Sequence, residues 1–438
     1  YTNAIEVAEN LRWYYSAPGR KVDEYELAEL FNLLGLLYHS QNKPDKAEKY
    51  YLAAIEICER LVKENADAYE SDLAASYNNT GAFYAVHGQP QKAEKYFLDA
   101  IEIYERLVER NADAYEPYLA RSYNNAGNLY YEQGQPDKAE KNYLDAIEIY
   151  ERLVKNNADI YEPDLATSYN NAGNFYKDQG QPEKAEKYYL AAIGIRERLV
   201  KKNADAYEPD LAMSYNSAGV FYSDQGQPDK AEKYYLAAIE IRERLVKKNA
   251  DAFEPALAVS YNNVGEFYRK QNQSGKAEKY ILAAVEIRER LVEKNAVAYE
   301  PDLAMSYNNA GVFYDDQNQP DKAEKYYLDA IEIYKRLVKE NAAAYEPELA
   351  MSCNNVGTFY AIQGQPGKAE KYFLDAIEIR ERLVKKNAAA YEPDLAASYI
   401  SYYLLKEDKT YLDKAYEIAK RRQDDPRCRY IVEFVESM

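Results

Sequence analysis

The stretch Ser168–Tyr176, SYNNAGNFY, returns with small edits as SYNNAGVFY at Ser306–Tyr314. Its serine recurs at Ser76, Ser122, Ser168, Ser214, Ser260, Ser306, Ser352 and Ser398, and every step is 46 residues. Self-similarity at one fixed period marks a stacked array, in which each unit buries its apolar face against its neighbours. Glycines keep the same register at Gly35, Gly81, Gly127, Gly173, Gly219, Gly265, Gly311 and Gly357, so residues 21–406 read as one lattice. The flanks depart from it. Residues 1–20, with Trp13, read as the second helix of a unit whose first helix is missing, so the chain is expected to be part of something longer. Residues 407–438 read as a degenerate last helix and a C-terminal cap.

Within one unit, Leu211, Tyr215, Ala218, Gly219 and Tyr222 fall at helical spacing and form a stripe that needs a partner. Pro209 suits a first helical turn, and Gly226 suits the left-handed residue that ends a helix. The slot of Gly226 holds only glycine or asparagine across the array: Asn42, Gly88, Gly134, Gly180, Asn272, Asn318 and Gly364. A second helix starts at Pro228 and ends at Lys247, Lys248 and Asn249, with Ala231, Tyr234, Tyr235, Ala238, Ile241, Leu245 and Val246 as the facing stripe. At ~22 residues it spans ~33 Å. The segment ADAFEP, Ala250–Pro255, reads as the linker to the next pair. The pattern predicts an all-α chain of stacked antiparallel helix pairs.

Composition narrows the function classes. The net charge is −18, from 74 acidic against 56 basic residues, and no stretch gathers the basic surface that phosphate backbones require, so nucleic acid is not the expected partner. No run reaches the ~18 apolar residues of a membrane span. The three cysteines, Cys58, Cys353 and Cys428, are scattered and read as reduced thiols of a cytoplasmic protein. The two histidines, His39 and His87, have no cysteine or histidine partner at metal spacing. Asp315 and Asp316 read as acids on a wall open to water, where nothing raises a pKa. The AEKYY segments, with Glu232 and Lys233, read as a solvated outer face. No catalytic residue, metal or cofactor is expected.

Small residues at Ala218, Gly219, Ala231 and Ala238 with aromatics at Tyr215, Tyr222 and Tyr235 resemble the signature of the tetratricopeptide repeat family. The period departs from the family's usual length, and the closing proline is missing because Glu243 lies inside a continuing helix. Long units worded YEPDLAxSYNNxG resemble the arrays of kinesin light chains and of bacterial sensor proteins that carry them behind a nucleotide-binding or protease module. The resemblance implies a right-handed superhelix whose first helices line the concave side.

On a helical wheel the asparagines fall opposite the stripe. The first of each pair forms a column, Asn78, Asn124, Asn170, Asn216, Asn262, Asn308 and Asn354, expected to support the groove. The second forms another, Asn79, Asn125, Asn171, Asn263, Asn309 and Asn355, broken by Ser217. An amide offers the donor and the acceptor that an extended peptide backbone seeks, and by resemblance to peptide-binding arrays this second column would be the ladder that holds a ligand. Residues that vary around it are expected to select the ligand: Arg121, Asn128, Tyr131, Asn174, Lys177, Met213, Val220, Glu266, Arg269, Lys270, Met305, Val312, Asp315, Met351 and Thr358. Their mixed chemistry favours a ligand with some basic and apolar character. The leading expectation is a non-enzymatic sensor or adaptor for a protein or peptide. One alternative is a scaffold that docks or self-assembles through its convex face or its ends, and another is the regulatory arm of an enzyme encoded upstream.

Overall fold

The computed structural model describes residues 23–41, 43–423 and 425–437; the expected helix in residues 1–20 and the turn residue Asn42 lie outside them. The fold is an all-α solenoid of antiparallel helix pairs, with 19 helices and no strand among the described residues. The chain divides into two compact units, Tyr1–Tyr234 and Tyr235–Met438, and the boundary falls within the helix Pro228–Lys248.

In the first unit the pairs are Glu24–Ser40 with Pro44–Glu64, Ala66–Val86 with Pro90–Arg110, Ala112–Glu132 with Pro136–Asn156 and Ala158–Asp178 with Pro182–Lys202, followed by Ala204–Asp224. In the second they are Ala250–Lys270 with Ser274–Lys294, Ala296–Asp316 with Pro320–Glu340, Ala342–Ile362 with Pro366–Lys386 and Ala388–Lys406 with Lys409–Arg421, followed by Pro426–Glu436.

The turn inside a pair is closed as the sequence leads one to expect. Gly180 takes φ 65°, its N–H bonds Lys177 O at 3.1 Å and the next N–H, of Gln181, reaches back to Tyr176 O at 2.9 Å. These are the two crossed bonds of a Schellman ending, which needs a left-handed residue. Asn272 and Asn318 fill the same role at φ 55° and 54°.

The connection between pairs differs from the expected linker. Ala250–Pro255 is the first turn and a half of a helix, and the whole connection is one asparagine. Asn203 shows the mechanism: its N–H bonds Leu199 O at 2.9 Å to close one helix, while its side chain accepts the N–H of Ala206 at 3.2 Å to open the next. Asparagine is among the best N-caps, and here a single residue caps both ways. Pro209 therefore lies inside its helix rather than at the start. The N–H that proline lacks would have bonded back to Asp205, an exposed first-turn residue within reach of water, so the proline is tolerated.

Packing repeats from pair to pair. A Cβ on Gly173 would lie 2.9 Å from the Tyr189 ring, so only glycine lets the paired helix approach. Tyr188 stacks on Tyr176 at 5.5 Å, and Phe175 packs on Tyr143 of the preceding pair at 5.7 Å. Within each unit the glutamates of the AEK segments, Glu48, Glu94, Glu140 and Glu186 in the first and Glu278 and Glu324 in the second, are part of this joint and not merely solvated charges. Glu140 accepts the Tyr176 hydroxyl at 2.8 Å and pairs with Lys184 at 3.3 Å, both on the next pair, while Lys184 sits 4.6 Å from the Tyr176 ring centre. The Tyr222 hydroxyl, with Lys230 behind it, holds the Glu186 carboxyl below its usual range against the opposing effect of burial.

Candidate functional site

Each first helix has one face turned away from its partner helix, and the two asparagine columns part company there. The first column is not open to solvent. Asn78, Asn124, Asn170, Asn262 and Asn308 are buried, and Asn216 and Asn354 are half-buried. The amide of Asn124 donates to Ser168 Oγ at 2.6 Å and that of Asn262 to Ser306 Oγ at 2.9 Å. Ser214 Oγ donates to Asn170 at 3.3 Å, and Ser398 Oγ to Asn354 at 3.3 Å. Within each unit the column thus stitches a first helix to the first helix of the next pair. A wheel drawn for one pair shows no partner on that side because the partner belongs to the next repeat. Asn32, whose amide donates to Ser76 Oγ at 2.8 Å, is a further member; the 46-residue register places it there, one step before Asn78.

The second column lies further out. Asn79 is exposed, and Asn125, Asn171, Asn263, Asn309 and Asn355 are half-exposed. Asn125 donates to Asn78 Oδ1 at 3.2 Å, so its amide is steadied from the preceding repeat. Beside this column, exposed on the first helices, stand Arg121, Thr167 and Met213 in the first unit and Val259, Met305 and Met351 in the second. Thr358 is also exposed, and Val220 and Val312 are half-buried. In each unit taken by itself, the open face is a row of amides flanked by thioethers, aliphatic groups and acids.

Several residues expected to select a ligand are engaged within the protein. Asn128 accepts the Tyr143 hydroxyl at 2.7 Å, and Asn174 the Tyr189 hydroxyl at 2.7 Å. Tyr131 donates to Asp178 of the next repeat. Lys177 pairs with Asp178 at 2.9 Å and lies 3.9 Å from Asp224. Arg269 bonds Glu266 at 2.7 Å and also Asp316, and Lys270 reaches Glu266 at 3.7 Å. The bridges from Tyr131 to Asp178, from Lys177 to Asp224 and from Arg269 to Asp316 join successive first helices and fix the rim of the face.

Electrostatics add one correction. Burial, with the charge of Asp316 second, pushes the Asp315 carboxyl up, so that pair is not fully exposed to water. Burial likewise raises Glu132 and Asp164, the latter opposed by Arg121. Behind the face, Arg196 is buried, donates to Asp210 O at 3.0 Å and to Ser214 Oγ, and reaches Thr167 Oγ1 at 3.2 Å. Cys353 is buried and its thiol is pushed up to about 12 by desolvation, which suits packing rather than nucleophilic chemistry. Among the described residues, no helix is long and apolar enough to cross a membrane.

The comparisons agree with this architecture. Family models described as tetratricopeptide repeat match residues 72–152, 164–244, 210–290 and 256–336, and others of that description match 28–60, 124–198 and 349–387. No curated protein matches the chain. Among solved structures, the apo form of RapI is 17% identical, covering 71% of this chain and 99% of its own, with a TM-score of 0.50. Aspartyl phosphate phosphatase F from Bacillus subtilis is 14% identical, covering 94% of this chain and 98% of its own, also at 0.50. BtubC from P. vanneervenii is 20% identical over 59% of this chain and 93% of its own, at 0.44. At these identities the likeness to RapI and to aspartyl phosphate phosphatase F speaks for the fold alone. The family models cover well over half of the residues, and the chain belongs to the tetratricopeptide repeat family.

Proposed function

We propose that the protein is a non-enzymatic interaction module that holds an extended segment of a partner protein along the open face of its first helices. The observation that carries this is the split between the columns. Once the first asparagines are assigned to stitching the repeats, the second remain as solvent-facing amides at one fixed position per repeat. Helices pack ~8–10 Å apart and an extended chain rises ~3.3 Å per residue, so each repeat would meet about three residues of the partner. Amides can bond a backbone whatever its side chains, and the flanking Met213, Met305, Met351 and Val259 with Asp178, Asp224 and Asp316 favour a segment of mixed apolar and basic character. Asn79, Asn125 and Asn171 would serve in the first unit and Asn263, Asn309 and Asn355 in the second.

A variant with Asn125, Asn171, Asn263 and Asn309 replaced by alanine tests the reading. Capture of partners from lysate should fall steeply while helicity and melting hold; undiminished capture would sink it. One observation favours a second reading, a scaffold docked through the opposite surface: the second helices expose a leucine at a fixed position, Leu52, Leu98, Leu144 and Leu190, with relative exposures of 38%, 47%, 38% and 42%. Replacing those leucines by glutamine would abolish capture if this second surface carries it.

A further inference from the structure

The two histidines of the chain lie 48 residues apart in sequence. That distance is one repeat step plus two, and the fold brings the rings together. Their centroids are 5.2 Å apart with planes at 55°. His39 lies in the last turn of the helix Glu24–Ser40, and His87 caps the helix Ala66–Val86 of the next pair. Both depart from the repeat wording. The slot of His87 holds glutamine everywhere else, at Gln41, Gln133, Gln179, Gln225, Gln271, Gln317 and Gln363. The slot of His39 is the one that supplies Tyr131, Lys177 and Arg269, the residues that reach across to the next repeat. At this one step of the array, both sides of the contact are imidazole.

The surroundings leave these rings ready to act as ligands. Phe83 packs on both, 4.5 Å from His87 and 5.6 Å from His39, and Nε2 of His87 is buried with no hydrogen-bond partner. Burial lowers the pKa of His39. It also lowers that of His87, with the neighbouring His39 acting in the same direction and Glu48 opposing. Glu48 is itself engaged, accepting the Tyr84 hydroxyl at 2.7 Å and pairing with Lys92 at 3.4 Å. Burial thus disfavours the charged form of both rings.

The spacing fits an ion. An imidazole nitrogen sits ~2.0–2.1 Å from zinc, which puts the ring centre about 3.2 Å from the metal. Two such rings at a tetrahedral angle have centroids about 5.2 Å apart. We infer that His39 and His87 form a two-imidazole site for a borderline divalent cation of the zinc, nickel and copper class, joining the first two described repeats. Among the described residues no third histidine, cysteine or carboxylate completes a group of three around it. The remaining coordination positions fall to water, so the ion is exchangeable.

The test uses the full chain stripped with chelator and titrated with Zn²⁺, read by calorimetry and by the imidazole resonances of ¹⁵N-histidine-labelled protein. The variant His87→Gln restores the residue of the other repeats, and His39→Ala matches Ala85 and Ala361, so both should keep the wild-type melting temperature without metal. One Zn²⁺ per chain should bind, moving the resonances of both rings together, and each variant should weaken binding at least ~10-fold. Zn²⁺ that binds the double variant as tightly as wild type would be held by the acidic surface and would overturn the assignment. Resonances that stay in place at millimolar Zn²⁺ would overturn it equally.

Discussion

The division of labour between the asparagine columns can be tested at one adjacent pair, Asn308 and Asn309. Asn308 is 2% exposed and donates to Ser352 Oγ, itself fully buried. The Ser352 hydroxyl passes its own hydrogen to Glu348 O at 2.9 Å, so the amide of Asn308 is the donor its oxygen accepts. Asn308→Ala leaves that oxygen buried without a donor, a loss of ~1–3 kcal/mol. The Oδ1 of Asn308 has no partner of its own, and its removal offsets part of the cost. The net expectation is about 1–2 kcal/mol, or a fall of roughly 2–8 °C in melting temperature for a cooperative unit of this size. Asn309 is half-exposed, and Asn309→Ala should change stability by less than ~0.5 kcal/mol. Urea unfolding followed by far-UV circular dichroism, with both variants beside wild type, reads the difference. Equal effects, or a larger loss from Asn309→Ala, would refute the assignment of the first column to stitching and the second to the surface.

Two other perturbations address the core. Gly173→Ala drives a Cβ against the Tyr189 ring, which is buried and tethered through its hydroxyl to Asn174, so the ring cannot yield; the substitution should cost ~1–3 kcal/mol in the same assay. The tyrosines make the protein sensitive to alkali. Burial raises Tyr189, and burial with the bond to Glu140 raises Tyr176, as similar causes do for Tyr169 and Tyr222. A folded-state pKa above the unfolded value means these groups contribute stability that is full below about pH 10 and is lost as the pH climbs through the raised values. The share of the absorbance at 295 nm that these buried tyrosines contribute should therefore rise together with the loss of helix, well above pH 10; a complete rise centred at pH 10 with helix intact would contradict this.

Much of the fold was legible because a fixed period turns each local signal into eight or nine copies. Pro228–Lys248 was readable from its proline, its stripe and its terminal lysines, and Gly226 from its slot. The start of the first helix was not, because Pro209 looks like a first-turn residue and the five residues before it like a loop. Yet Asn203, followed by an acidic first turn, is an ordinary start signal whose strength the proline masked. The site was harder to read. A wheel built on one pair knows only that pair's partner, so Asn170 was given a supporting role on the same open face as Asn171, and that it faces the next repeat's serine was not visible. The histidine pair escaped for the same reason: its spacing has meaning only once 46 is subtracted from 48.

A partner lying along the open face of the first helices can be located directly. A photo-reactive phenylalanine analogue placed singly at Thr167, on that face, or at Leu190, exposed on the paired second helix, reports which surface a captured partner touches. Crosslinks from position 167, with position 190 at background, are the predicted result. Crosslinks confined to position 190 would contradict the claim and assign recognition to the leucine-bearing surface.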